Sequence, residues 1–188
     1  MIHEQLKAYY GRVLNGTNDL QTNACCCDTE SMPQEIRQIV SDIEIEIIDR
    51  FYGCGSPIPP FLDGFNVLDL GCGTGRDVYI VSKLVGENGN VIGIDMTEEQ
   101  LAIARKHVAS QMRRFGYKNI NVDFMEGYIE DLNTLGIKAN SIDVVISNCV
   151  INLPPNKQTV FSEIFRILKP GVSFIFQTYS PIEGFPII

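Results

Sequence analysis

The sequence predicts an α/β fold, in which helices cover a doubly wound parallel sheet. From about Asn66 onward, short apolar runs alternate with stretches whose apolar residues recur at helical spacing. Such alternation is typical of parallel sheets, because the crossover between two parallel strands is usually a helix. In addition, a sharp glycine-rich turn joins the first apolar run to the first helical stretch. The 188 residues are enough for one such domain and little more.

The residues before this region predict a helical cover on the domain. A short helix is expected at about 4–13. Ser31 and Gln34 have the spacing of a capping box, which predicts the start of a second helix. Isoleucines and valines at helical spacing continue that helix to about Phe51.

A break in the helical pattern sets the predicted domain boundary. Gly53 and the prolines up to Pro60 keep the chain open between the cover and the sheet. We therefore expect a cysteine-bearing cover at 1–60 and a sheet-forming domain at 61–180. A short tail at 181–188 follows.

Within the domain, the apolar runs and their spacing predict five strands and three helices. The strands are expected at 67–70, 90–95, 120–124, 141–147 and 172–177. The helices are expected at 76–85, at about 98–115 and at about 157–168. Thr97 and Asn156 precede two of these helices and are residue types that favour the N-cap position.

The charge balance excludes several classes of function. Fifteen basic residues against 23 acidic residues give a net charge of -8. This balance argues against nucleic acid as the main partner, because neutralising phosphates requires clustered Lys and Arg. No apolar run approaches the roughly 20 residues of a membrane span, and the first residues lack the basic-then-apolar pattern of a secretory signal. We therefore expect a cytoplasmic protein with neither a nucleic-acid nor a membrane partner.

Six cysteines stand out in a chain of this length. They are Cys25, Cys26, Cys27, Cys54, Cys72 and Cys149. A reducing cytosol argues against a disulfide framework. Because no C-x-x-C pair occurs and both histidines lie far from the cysteines in sequence, the pattern also does not favour a closed zinc site. Free thiols with a chemical role are the interpretation that is left.

The glycine-rich turn predicts a nucleoside site. Gly71, Gly73 and Gly75 follow Asp69 at the end of the first predicted strand, and glycine lets the backbone approach a ligand closely. The second strand ends at Asp95, 20 residues after Gly75. A carboxylate at that position can accept both ribose hydroxyls of an adenosine.

The details of the turn favour S-adenosylmethionine over NAD. A dinucleotide site usually has the spacing G-x-G-x-x-G, whereas here the third glycine comes one residue early. The carboxylate of Asp69 would repel a pyrophosphate. The same carboxylate would attract S-adenosylmethionine, which carries an ammonium and a sulfonium and no phosphate.

Several motifs resemble those of a known family. The segment 67–75, with the sequence VLDLGCGTG, resembles the first motif of the class I S-adenosylmethionine-dependent methyltransferases. The segments 52–55 (YGCG) and 147–153 (SNCVINL) are more specific and resemble the arsenite methyltransferase family. The resemblance covers about residues 6–178. It implies a Rossmann-like sheet of the class I methyltransferase type with an N-terminal helical cover.

The resemblance also implies ten cofactor-binding residues. They are Tyr52, Asp69, Gly71, Gly73, Arg76, Asp95, Met96, Ile129, Glu130 and Asn148. Asp95 would hold the ribose, and Met96 would pack on the adenine. The alternative for Met96, Ile129 and Tyr52 is ordinary packing in the core.

By the same resemblance, Cys149 is an arsenic ligand, and Cys54 and Cys25 are further thiols that act as ligands or redox partners. Trivalent arsenic is soft and prefers thiolates. Its lone pair can attack the sulfonium methyl group, so no protein base is needed. The implied reaction is methyl transfer from S-adenosylmethionine to thiol-bound arsenite. A thiol reductant, with thioredoxin or glutathione as candidates, would be a co-substrate.

Other interpretations stay open at this point. The chain could be a methyltransferase for another small molecule, or a non-catalytic protein that binds the cofactor or a metalloid. Cys72 is interpreted as a small filler within the turn, and Cys26 and Cys27 have no assigned role. Family members continue past the fifth strand and carry another arsenic-binding cysteine there. No cysteine follows Cys149, so we expect the C-terminal strands and the substrate region to be missing.

Overall fold

A parallel five-stranded sheet forms the centre of the structure. The computed structural model describes residues 4, 7–9, 32–53 and 55–177. The strands are β1 (Asn66–Leu70), β2 (Asn90–Asp95), β3 (Val122–Glu126), β4 (Ile142–Asn148) and β5 (Leu168–Gln177). They lie in the order β3-β2-β1-β4-β5, and every neighbouring pair is parallel. The predicted α/β fold class is confirmed.

Six described helices accompany the sheet. They are α1 (Gln34–Ser41), α2 (Ile45–Ile48), α3 (Arg76–Val85), α4 (Glu98–Lys106), α5 (Val108–Phe115) and α6 (Lys157–Ile167). None of the helices in the described part of the chain is long and apolar enough to cross a membrane. The predicted helix at 4–13 falls largely outside the described residues.

Alternating side chains of the strands build two cores. Val67 faces the layer of α1 to α5 and belongs to the core that also contains Ile47 and Leu101. Leu68 faces the opposite layer and belongs to the core that also contains Ile164 of α6. Because successive strand residues point to opposite faces, each of the central strands supplies both cores. Consecutive apolar residues, such as Val67 and Leu68 in β1, therefore face opposite cores, as is expected for a sheet covered on both faces.

The register of the central strands brings their carboxyl ends level. Leu70 pairs with Ile94 on one side and with Ser147 on the other. The hydroxyl of Ser147 also donates to the carbonyl of Leu70 at 2.9 Å. The chain runs from β1 outward to β3 and then returns to β4 on the other side of β1. This reversal between β1 and β4 is where open α/β sheets form their ligand crevice.

The predicted cover helix ending near Phe51 is wrong in one respect, because the structure has two helices, α1 and α2. The chain bends between Asp42 and Glu44. The buried side chain of Gln111 donates to the carbonyl of Asp42 at 2.9 Å and accepts from the backbone N–H of Glu44 at 3.3 Å. A partner from α5 thus satisfies the backbone where the helix stops. The N-cap of α1 is Pro33, without a side-chain cap, and Ser31 lies outside the described residues.

The predicted helix at about 98–115 is likewise divided, at His107, into α4 and α5. The Nε2 atom of His107 lies 2.7 Å from the carboxylate of Glu46 in α2, so the break is also a contact with the cover. The Asn156 cap is confirmed, since its side chain accepts from the N–H of Thr159 at 3.2 Å. Thr97 is the N-cap residue of α4 but makes no side-chain cap.

Candidate functional site

A pocket opens at the carboxyl ends of β1, β2 and β4. Nine of the ten residues expected to bind the cofactor line it, and Cys149 lines it as well. The nine are Tyr52, Asp69, Gly71, Gly73, Asp95, Met96, Ile129, Glu130 and Asn148. Residues spread over almost a hundred positions in sequence therefore meet where the order of the strands reverses.

The glycine-rich turn forms one side of the pocket, and two of its glycines adopt a backbone conformation that strains other residues. Gly71 and Gly73 have φ angles of 76° and 54°, in the left-handed region that glycine adopts without strain. A Cβ atom on Gly71 would lie 2.3 Å from the side chain of Val150. A Cβ atom on Gly73 would meet nothing within 4 Å, so the space beside this residue is open.

Asp95 holds this turn in place. Its Oδ2 atom accepts from the backbone N–H of Gly73 at 2.9 Å, and Oδ1 accepts from the N–H of Thr97 at 2.8 Å. Burial raises the pKa of the Asp95 carboxyl, and these hydrogen bonds oppose the rise. The Thr97 side chain also bonds to Asp95, which explains why it does not cap α4.

Asp69 has a different environment from Asp95. It is 2% exposed, and no donor in the described part of the chain bonds to its carboxylate. Burial raises the pKa of Asp69 well above its usual value, and the nearby carboxylates of Asp77 and Asp95 raise it further. The Arg76 guanidinium opposes this rise. An uncompensated carboxylate in a pocket is suited to a ligand that brings a positive charge.

Arg76 is the one expected cofactor residue that does not line the pocket. It is 3% exposed and donates to Asp77 at 2.7 Å, as well as to the carbonyl of Gly55 at 2.7 Å. Asp77, for which the sequence predicts no role, lines the pocket in its place. Its position next to the glycine-rich turn, in the first turn of α3, was the signal that could have identified it.

The end of β4 carries Asn148 and Cys149. The Asn148 amide donates to Oδ2 of Asp77 at 3.0 Å. Cys149 directly follows the strand, is half-buried and has a φ of 60°. Non-glycine residues rarely adopt this left-handed conformation, and where they do the strain is often associated with a functional site. The structure thus places a strained, accessible thiol in the pocket.

The other expected thiols have no described geometry, since Cys25 and Cys54 lie outside the described residues. Gly53, the residue before Cys54, lines the pocket. Cys72 is buried, and a Cβ atom on Gly93 would lie 2.8 Å from its Sγ atom, which fits its interpretation as a filler. Burial raises the pKa of the Cys72 thiol well above its usual value, and Asp95 and Asp69 add to the rise.

The chain is similar both to a methyltransferase family and to individual methyltransferases. Residues 62–185 match a family described as a methyltransferase domain. The arsenite methyltransferase of Aquipseudomonas alcaligenes is 49% identical over 175 residues, which are 93% of this chain and 50% of that protein. The arsenite methyltransferase of Homo sapiens is 45% identical over 183 residues, covering 97% of this chain and 49% of that protein.

A solved structure agrees with these relatives. It is an arsenic(III) S-adenosylmethionine methyltransferase from Chlamydomonas reinhardtii, with 46% sequence identity and a TM-score of 0.76. The match covers 78% of this chain and 49% of that one. The chain therefore spans about half the length of the relatives that it matches.

Proposed function

This chain belongs to the arsenite methyltransferase family of S-adenosylmethionine-dependent methyltransferases, and on that premise we propose that it transfers a methyl group from S-adenosylmethionine to thiol-bound trivalent arsenic. The observation that carries the proposal is the position of Cys149. This thiol shares one pocket with the glycine-rich turn and with the uncompensated carboxylate of Asp69. A soft metal-binding group and a site for a cationic cofactor therefore meet at the same place.

Family membership implies S-adenosylmethionine as the cofactor, and the pocket fits it. The open space beside Gly73 would accept the cofactor close to the backbone. Asp69 would face the ammonium group, and Asp95 would accept the ribose hydroxyls with the lone pairs that the turn leaves available. Met96 and Ile129 would pack against the adenine. When bound, the cofactor supplies an electrophilic methyl group on a sulfonium.

The charge at Asp69 explains how the pocket would select this ligand. Burial raises the pKa of the Asp69 carboxyl, so the ligand-free pocket disfavours its ionised form relative to water. A cation at this position stabilises the carboxylate and releases the proton to solvent. Asp77 differs, because Arg76 and Asn148 already bond to it. One buried carboxylate is therefore reserved for the ligand.

Cys149 would hold the substrate. Thiolate is the softest donor among protein side chains, and arsenic(III) bound by thiolates keeps its lone pair. The chain needs no base to activate that lone pair, so its contribution is to position the substrate and exclude water. The left-handed conformation of Cys149 supports this role, since backbone strain of this kind is often found at functional sites.

Cys54 and Cys25 are proposed as the further thiols, on the basis of the family resemblance. Forming an arsenic–carbon bond uses the lone pair of arsenic(III) and leaves arsenic(V). Two electrons are then needed before another methyl transfer, and two thiols that form one disulfide provide them. Thioredoxin or glutathione would reduce that disulfide again, in the cytoplasmic setting that the sequence predicts.

Product analysis tests the proposal. The protein is incubated with arsenite, glutathione and methyl-deuterated S-adenosylmethionine, and arsenic species are separated by mass-resolved chromatography. We expect deuterated methylarsenic from the wild type, strongly reduced in Cys149→Ser and unchanged in the matched Cys26→Ser control. A different labelled acceptor, or arsenite binding without any labelled arsenic, would contradict the proposed reaction.

A further inference from the structure

Arg76 is a buried charge with an unusually complete set of partners. Its Nε and Nη2 atoms donate to Oδ1 of Asp77 at 2.9 and 2.7 Å. Nη2 also donates to the carbonyl of Gly55 at 2.7 Å. The guanidinium carbon lies 3.3 Å from the centroid of the Phe51 ring. A planar guanidinium bound in three directions can occupy only one position.

These contacts act on one wall of the pocket. We call residues 51–53 the cover wall, since Phe51, Tyr52 and Gly53 belong to the cover and line the pocket. Arg76 contacts Phe51 at one end of this wall and Gly55 just beyond its other end. Because Arg76 is itself not part of the lining, it supports the wall from the protein side.

The same network reaches the end of β4. Oδ2 of Asp77 accepts from Nδ2 of Asn148 at 3.0 Å. A Cβ atom on Gly53 would lie 2.8 Å from both Cγ and Nδ2 of Asn148, so the cover wall packs directly on this amide. The pair of Arg76 and Asp77 therefore ties two parts of the pocket that are far apart in sequence.

We propose that Arg76 is a positioning residue that fixes the cover wall against Asn148. The proposal rests on the proposed function only in taking S-adenosylmethionine as the ligand of this pocket. Without the guanidinium, Asp77 loses its main counter-charge and Phe51 loses its stacking partner. The carbonyl of Gly55 then keeps only the longer bond from Nδ2 of Asn148, at 3.4 Å. The cover wall then separates from Asn148, and bound cofactor leaves the pocket faster.

The test replaces the guanidinium while keeping its charge. In Arg76→Lys, a single ammonium cannot reach Asp77 and Gly55 together and also stack on Phe51. Arg166 offers a matched control outside the pocket. It binds both carboxylate oxygens of Glu163, at 2.7 and 2.8 Å, and donates to the carbonyl of Ile137 at 3.0 Å.

The readout is the affinity and the dissociation rate of S-adenosylhomocysteine, measured by calorimetry and stopped flow well below the unfolding temperature of each variant. We expect Arg76→Lys to bind about tenfold more weakly, mainly through faster dissociation. Arg166→Lys should bind like the parent, even where it lowers the unfolding temperature as much. If Arg76 only stabilises the fold, Arg76→Lys and Arg166→Lys should both unfold at lower temperatures. Both variants should then bind S-adenosylhomocysteine with the same affinity, which would contradict the proposal.

A second variant covers the case in which Arg76→Lys does not fold. Gly53→Ala keeps Arg76 but places a methyl group against Phe51 and Asn148, so it displaces the cover wall from the other side. It should weaken S-adenosylhomocysteine binding in the same way. Parental affinity in a folded Arg76→Lys or Gly53→Ala protein would overturn the positioning role alone. A parent chain that does not bind S-adenosylhomocysteine would instead refute the proposed function.

Discussion

The backbone N–H of Gly73 donates to the carboxylate of Asp95 at 2.9 Å. This bond joins the turn after β1 to the end of β2, 22 residues later. It means that Asp95 shapes the glycine-rich turn before any ligand arrives. The residue expected to hold the ribose is therefore also the residue that keeps the turn in its binding conformation.

Replacing Asp95 should therefore remove two contributions at once. Asp95→Ala loses the proposed ribose hydrogen bonds, at roughly 1.5–3 kcal/mol for charge-assisted bonds, which is on the order of tenfold or more in affinity. Calorimetry with S-adenosylhomocysteine measures this loss. Asp123 is an exposed aspartate of β3, so Asp123→Ala is a suitable control. Tight binding of NAD by the wild type would contradict the assignment of the pocket.

A comparison of Gly73 with Gly136 separates an effect on cofactor binding from an effect on the stability of the protein. Gly73 and Gly136 both have positive φ angles, of 54° and 78°, and a Cβ atom on either would meet nothing within 4 Å. Each change to alanine should cost about 1–2 kcal/mol of unfolding free energy because of the left-handed conformation. Only Gly73→Ala should also weaken cofactor binding, since only that methyl group enters the pocket. Equal effects of the two variants on calorimetric affinity would show that the cofactor does not approach Gly73.

The buried Asp69 predicts a pH dependence with a definite sign. Its pKa is raised in the folded protein, so the unfolded chain ionises first, near the ordinary value of 3.8. Stability of the ligand-free protein should therefore fall as the pH rises from that value toward the raised pKa. Asp69→Asn should lack this fall and be more stable than the wild type at neutral pH. Urea unfolding at several pH values measures the difference.

The same carboxyl should respond to the ligand. Because a cation favours the ionised form of Asp69, S-adenosylhomocysteine, which keeps the ammonium, should bind more tightly as the pH rises through the raised pKa. Binding should release a proton, visible as a dependence of the calorimetric enthalpy on the buffer. Asp69→Asn should lose both the affinity and the proton release. Proton release that persists in this variant would assign the titration to another group.

Substitutions at Cys149 should affect arsenite binding through the loss of the thiol, and protein stability through the left-handed backbone conformation of this residue. Cys149→Ser should weaken binding of arsenite and of phenylarsine oxide, because serine keeps the size and loses the soft donor. Protection of thiols from alkylation measures this effect. Cys149→Gly and Cys149→Ala should bind as poorly as each other. The glycine variant should nevertheless be about 1 kcal/mol more stable than the alanine variant, because the φ of 60° strains alanine. Arsenite binding by Cys149→Ser at wild-type affinity would show that the family role does not apply to this residue.

The features predicted correctly from the sequence are those encoded locally. The turn at Gly71 and Gly73 and the acid at Asp95 stand next to apolar runs, and their positions at strand ends follow from the topology of any parallel sheet. The family resemblance, carried by short motifs, is confirmed by the comparisons. The strand at β3 begins two residues later than predicted, at Val122, since no local signal separates the loop from the strand.

The missed features depend on contacts between distant segments. Arg76 and Asp77 are adjacent, and which of them lines the pocket depends on the rotation of α3 against the cover, about 100° per residue. The sequence alone does not specify that rotation. The bend between α1 and α2 was missed for a similar reason. The side chain that bonds to its backbone groups belongs to Gln111, which lies 67 residues beyond Glu44.

That bend has a consequence for the order of events during synthesis. The segment containing Asp42 and Glu44 leaves the ribosome well before Gln111 does. At 5–20 residues per second, adding the 67 residues that follow Glu44 up to and including Gln111 takes roughly 3–13 s. During this interval the carbonyl of Asp42 and the N–H of Glu44 lack the Gln111 side chain that bonds to both of them in the folded protein. The cover should therefore acquire its native shape only after α5 has emerged, and ribosome-bound chains arrested before Gln111 should show it unprotected against proteolysis.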